Sequence, residues 1–183
     1  MTTVNAVGVS LSGQTGTGSF AGSTSPSFTT PTLGVSTATS INFGGSALSN
    51  YITTTSWPPV FTFSTPGDLS VVYTTQTGRY ARIGNIVIAT FNLTFTPTYT
   101  TASSTALITG LTLAPAISTV GYCYTSAPSY PAGTTSPLIL IAGGATNIQI
   151  AASGSGATAA NLTVANITSG AACTIFGSIM YAI

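Results

Sequence analysis

The sequence predicts an all-β protein, an antiparallel β-sandwich of jelly-roll-like character preceded by an extended N-terminal arm. Three observations predict it. Short apolar runs rich in Val, Ile, Thr, Tyr and Phe recur from Pro58 to the last residue, as strands do. Twenty Gly and ten Pro punctuate the chain between them, which favours turns over helices. Although 44% of the residues are hydrophobic, no apolar run approaches the roughly 18 residues of a membrane-spanning helix, so no membrane insertion is expected.

In order along the chain, residues 1–34 are small, polar and Pro/Gly-punctuated (VSLSGQTGTGSFAGSTSPSFTTPTLG). Such a segment cannot bury enough surface to fold alone. A disordered tail and an extended arm that orders against neighbouring chains or a docking partner are both open. Residues 35–57 form a neck, with a turn at Gly44 and Gly45 and a SALSNY stretch that suits one helical turn. Residues 58–183 form the head. Val60–Phe63 and Leu69–Tyr73 flank a turn at Pro66, Gly67 and Asp68. Gly84 and Asn85 make either a tight connection or a bulge within one long paired region. From Ile86 to Phe95 the pattern alternates, with Phe91, Leu93 and Phe95 on one face and Asn92 and Thr94 on the other. Further strands are expected at Ala106–Leu113, Thr119–Tyr124, Leu138–Ala142, Asn147–Ala151, Asn161–Asn166 and Thr174–Ala182. The set suits two packed antiparallel sheets. The hydrophobic last strand, FGSIMYAI, would be exposed at an edge unless the fold or a partner covers it, and a partner is the expectation.

Charge restricts function more sharply than hydropathy does. The 183 residues include two Lys+Arg, one Asp+Glu and no His, so 2% of residues are charged against about 25% in ordinary domains. One copy cannot assemble a carboxylate pair for glycoside hydrolysis, a Ser-His-Asp relay or a His/carboxylate metal cage. The expectation is a non-enzyme without metal or cofactor. A net charge of +1 releases few counterions, so nucleic acid is not an expected partner. The opening residues lack the charged start and apolar core of a secretory signal; a role outside a cell would imply another exit, such as lysis, or a signal already removed.

Asp68, Arg79 and Arg82 are the only charged side chains. On adjacent strands, Asp68 and Arg79 would form a structural ion pair, and Arg82 would satisfy carbonyls at a subunit interface. The functional alternative is recognition of an acidic sugar or phosphate by the arginines. Cys123 and Cys173 lie in apolar, strand-like surroundings and are expected as free thiols. The GQTGTG string lacks the Lys of a phosphate loop. Sequons at Asn92, Asn161 and Asn166 arise easily in so Thr-rich a chain and carry no weight. Tyr122, Tyr124 and Tyr130 cluster about a Ser/Pro/Gly segment, TSAPSYPAGTTSP, read as a long exposed loop. Aromatic faces beside hydroxyls and amides suit a glycan or other receptor; rings packed on the sheet below are the alternative.

Two blocks carry a family resemblance. The N-terminal series Ser-Pro, Thr-Pro-Thr-Leu-Gly, Ala-Thr-Ser-Ile-Asn-Phe-Gly and Leu-x-x-Tyr resembles a segment of bacteriophage tail-fibre and tail-spike-like proteins. Trp57-Pro58-Pro59 and TGRYARIGNIVIATFNLTF, from Thr77 to Phe95, are similar to the Trp-x-Pro and Gly-Arg-Tyr-x-Arg-Ile-Gly-Asn blocks that open the distal sandwich of such proteins. The resemblance covers roughly the first half of the chain and departs at Ile52–Ser56, where acidic residues and Gly are usual. It implies a homotrimeric fibre or receptor-binding tip on the virion. There the arm would attach to another virion protein, and the head would meet a host-surface glycan or protein. It also implies a scaffold role for Gly78, Arg79, Tyr80, Arg82, Gly84 and Asn85, beside Asp68. A capsid head-decoration protein and a subunit of an extracellular strand-exchanged filament are the competing expectations.

Overall fold

The computed structural model describes residues 41–43, 46–48, 52–126 and 128–183, and side chains from residue 54 onward. The arm at residues 1–34 and the turn expected at Gly44 and Gly45 lie outside the described residues. The chain divides between Ala38 and Thr39, a little beyond the expected end of the arm. Strands β1 (Ile41–Phe43) and β2 (Ser46–Leu48) pair antiparallel with Phe43 opposite Ser46. Ser46–Leu48 is thus a strand, not part of a helical turn, because its backbone groups are committed to the ladder with β1.

The rest is all-β and antiparallel. The strands are β3 (Ile52–Trp57), β4 (Val60–Thr65), β5 (Ser70–Ile83), β6 (Ile86–Thr98) and β7 (Ser103–Thr109). They continue with β8 (Thr119–Ser126), β9 (Ser136–Ile141), β10 (Ile148–Gly154), β11 (Ala157–Asn161) and β12 (Cys173–Ala182). All ten belong to one sheet, in the order β3-β5-β6-β12-β8-β9-β10-β7-β4 with β11 on β10. The two layers expected of a sandwich are therefore halves of a single curled sheet. Its terminal strands, β3 and β4, are joined only by Pro58 and Pro59, which cannot donate to a ladder. The residues expected to end the neck, 52–57, are paired to β5 and so belong to this sheet.

The core lies inside the curl. Along β6, Val87, Ala89, Phe91, Leu93 and Phe95 are all buried while their neighbours face outward, the alternation expected of a half-buried strand. Phe61 of β4 stacks on Phe95 of β6 at 4.4 Å, and the Phe61 N–H donates to the Tyr73 hydroxyl at 2.8 Å. These contacts hold one half of the curl against the other. Among the described residues no buried side-chain polar atom is left without a partner.

Two expectations are corrected. β12 lies between β6 and β8, paired to both, so the last strand is central and the fold itself, not a partner, flanks it. Its long-range register decides this, from Cys173 to Ala182 against β6 and from Thr174 to Ser178 against β8, while Ile175, Ile179 and Tyr181 are buried within the curl. Asn161–Asn166 is not a strand. β11 ends at Asn161, and Val164–Asn166 is a 3-10 turn, because the Asn166 side-chain oxygen accepts the Thr163 N–H at 2.8 Å and closes the backbone into a turn. The turn expected at Pro66–Asp68 is present, with the Leu69 N–H donating to the Pro66 carbonyl at 3.0 Å. β4 and β5 lie far apart in the sheet order, and the turn is a corner between its two halves.

Candidate functional site

The outer face of β5, β6, β12 and β8 is built by register. One row across the four strands is Arg79, Thr90, Ser178 and Tyr122; the next is Thr77, Asn92, Phe176 and Tyr124. At about 4.8 Å between strands, each row spans about 14 Å. Together the two rows line a shallow groove of about 670 Å³. A smaller hollow of about 310 Å³ adjoins it at Thr77, Gly78 and Arg79. All four strands are internal to the sheet, with β3 paired to β5 from Gly78 to Arg82 and β9 paired to β8 from Thr119 to Tyr122, and the two rows recognise through their outward side chains.

Tyr124 and Phe176 stack at 5.0 Å with an interplanar angle of 25°, and Tyr122 stands 82% exposed beside them. Beneath the groove, Gly78 lets β5 close onto Trp57: a Cβ there would lie 2.6 Å from the indole ring. The buried indole N–H donates to the Thr90 carbonyl at 3.2 Å, so the floor is tied to β3. Gly177 does the same between β12 and β8, where a Cβ would come within 2.5 Å of the Tyr122 carbonyl oxygen.

Of the aromatic residues singled out in the sequence, Tyr122 and Tyr124 share the groove. Tyr130 does not: its hydroxyl bonds to Thr125, which is buried and faces away from Tyr124 across β8. Tyr122 and Tyr124 lie on the strand expected there, and the loop is shorter than expected, since Thr125 and Ser126 continue β8 and Ser136 already opens β9. Phe176 was hidden in a run read as uniformly hydrophobic. Period-two alternation along β12 sets it, with Ser178 and Met180, opposite Ile175 and Ile179.

The scaffold residues separate in the same way. Asp68 and Arg79 do not pair. They lie on one chain segment, roughly 30 Å apart along β5, and not on adjacent strands. The Asp68 carboxylate instead accepts the N–H and hydroxyl groups of Thr100 and Thr101. Bonds from the Thr100 hydroxyl, then from the two amides and the Thr101 hydroxyl, hold it well below the usual carboxylate range. Arg82 donates through Nε to the Gly84 carbonyl at 2.7 Å, within its own hairpin and not across a subunit boundary. Gly84 and Asn85 form the two-residue connection between β5 and β6, with Gly84 at φ +58°, a conformation glycine adopts without strain. Tyr80 packs partly buried against the core. Arg79 alone among the charges is exposed on the groove, and among the described residues its side chain has no hydrogen-bond partner or ion pair.

Cys123 and Cys173 are free thiols. Cys123 pairs with Gly177, four residues along β12 from Cys173, about 13 Å, beyond the roughly 7 Å a disulfide spans. Burial pushes them up to about 11 and about 12 respectively, so neither is a ready nucleophile. No helix among the described residues is long and apolar enough to cross a membrane. No family model, curated protein or solved structure matches the chain.

Proposed function

We propose that the chain is a non-enzymatic structural and adhesive protein of a bacteriophage particle, a tail fibre or receptor-binding tip on the virion exterior. The observation that carries the reading is the open groove of Tyr122, Tyr124 and Phe176 beside Asn92, Thr90 and Ser178. It is set on four adjacent strands internal to the sheet. Such a surface offers aromatic faces and neutral hydrogen-bonding groups on a rigid platform, which suits a host-surface glycan or protein. The resemblance of the Ser-Pro/Thr-Pro-Thr-Leu-Gly arm and of the Thr77–Asn85 block supports the same class. Asp68, the one carboxylate a depolymerase would need, is engaged by Thr100 and Thr101 and is not among the groove residues.

In this reading residues 1–34 attach the head to another virion protein. Self-association into a homotrimer draws on the apolar rows next to the groove, Ile83 and Ile86 with Ile88, Val120 and Met180, all exposed. Immunogold labelling of particles with antibodies to the head tests the location, and antibody blockade of adsorption tests adhesion. Label at the tail with blocked adsorption is the expected result. Label on the capsid would move the chain to a head-decoration role, and absence from particles with open polymers in solution would favour the strand-exchanged filament. Release of reducing sugar from host polysaccharide, lost in Asp68→Asn, would overturn the non-enzymatic part.

A further inference from the structure

The placement of charge on the groove is specific enough to name a ligand class. The chain holds two arginines and a single acidic side chain. Arg82 donates through Nε to the Gly84 carbonyl at the hairpin and is not among the groove residues, and Asp68 is held by Thr100 and Thr101. Arg79 remains, exposed at one end of a row whose other end is Tyr122. We propose that this groove binds an acidic saccharide. A sugar carboxylate would lie on the Arg79 guanidinium, with pyranose faces against Tyr122 and the Tyr124–Phe176 pair. The assignment rests on the adhesive reading above and narrows it to a ligand class.

Three features favour this occupant. A guanidinium presents a planar fork matched to a carboxylate, and on so weakly charged a surface it discriminates anionic from neutral ligands strongly. A second copy of the chain is a poor occupant. Burying Arg79 in a self-interface would require an anion, and the only acidic side chain in any copy, Asp68, already accepts from four donors; an unpaired buried charge is strongly unfavourable. An extended peptide is less well served, because the strand edges left open, β5 up to Thr77 and β8 from Cys123, run along the flanks of the groove, and a peptide paired there would not cover Phe176 between them. A sugar ring needs neither. Its apolar face covers an aromatic ring while its hydroxyls meet Asn92, Thr90 and Ser178.

Calorimetric titration of the full chain with polygalacturonate and polysialic acid tests the inference. The controls are methyl-esterified polygalacturonate, neutral dextran and heparin, whose charge is largely sulfate. The carboxylated polymers are expected to bind, and esterification or Arg79→Gln to weaken binding about ten-fold, the loss of one charge-assisted contact. Arg79→Lys should recover only part of it. Phe176→Ala should weaken binding with Arg79 intact, and circular dichroism of each variant checks that the fold is kept. Equal binding of dextran and polygalacturonate, unaffected by Arg79→Gln, overturns the acidic class and leaves the adhesive reading standing. Preference for heparin, retained after Arg79→Gln, overturns it also. A fall in assembly mass on Arg79→Gln or Phe176→Ala would put a second copy in the groove and overturn it. No binding of any polymer overturns it too; blockade of particle adsorption by antibody then decides separately whether adhesion stands.

Discussion

Four donors, the N–H and hydroxyl groups of Thr100 and Thr101, converge on the Asp68 carboxylate. Asp68 belongs to the β4–β5 corner and the two threonines to the β6–β7 connection, so one exposed side chain clasps two crossovers between the halves of the sheet. The ionised form is favoured in the folded state, and its pKa is depressed. Its stabilisation is therefore present above the unfolded value of about 3.9 and is lost as pH falls below it toward the folded value. Thiol burial acts at the other limb. With Cys123 and Cys173 raised to about 11 and about 12, their contribution is full below the unfolded value of about 8.5 and is lost as pH rises past it. No His lies between. Calorimetric melting should show a midpoint flat from about pH 5 to 8 and declining on both sides. Asp68→Asn should lower the plateau and flatten the acid limb. A sharp transition near pH 6 would contradict this account.

At the scale of elements, the long β5–β6 hairpin and the central β12 organise the sheet, and each is testable. Gly78→Ala would drive a Cβ into the Trp57 indole, and overpacking of this kind costs about 1–3 kcal/mol. Urea unfolding should show that loss, and Trp57 emission should move to longer wavelength as the Thr90 bond breaks. Paired on both sides from Thr174 to Ser178, β12 should be among the slowest to exchange its amide hydrogens over that stretch; rapid exchange there would return it to an edge. That these elements are β was legible from alternation, and Phe91, Leu93 and Phe95 fall on the buried face as their spacing requires. Sheet order was not legible, since the partners of β12 lie about 50 to 90 residues away along the chain and local pattern carries no such information. The groove was half legible for the same reason. Tyr122 and Tyr124 share a strand two residues apart, whereas Phe176 and Arg79 join them only through register across β12 and β6.

For the whole molecule, the difficulty is a surface with almost no charge and an outward apolar set. Val120 and Met180 are 61% and 63% exposed, and Met180 is in register with Ile88, with Ile83 and Ile86 paired one row beyond. Contiguous apolar surface of this kind marks an interaction site. It adjoins the Arg79 row, so a self-interface on it would leave the groove at its rim and open to ligand. A stable contact buries about 800 Å² from each partner, and a three-fold arrangement lets a head-to-tail contact between two patches close into a ring without open ends. Light scattering should therefore give three times the chain mass, 18.2 kDa for the full chain and the correspondingly smaller mass for a chain without residues 1–34. The mass should change little between low and high salt, because few charges exist to be screened. Ile88→Asn combined with Met180→Gln should shift the mass toward the single chain while leaving the β circular dichroism signal intact, since both side chains face outward. A monomer before substitution would detach the apolar rows from self-association. Filaments that vanish with the arm would instead assign assembly to strand exchange, with closed trimers set aside.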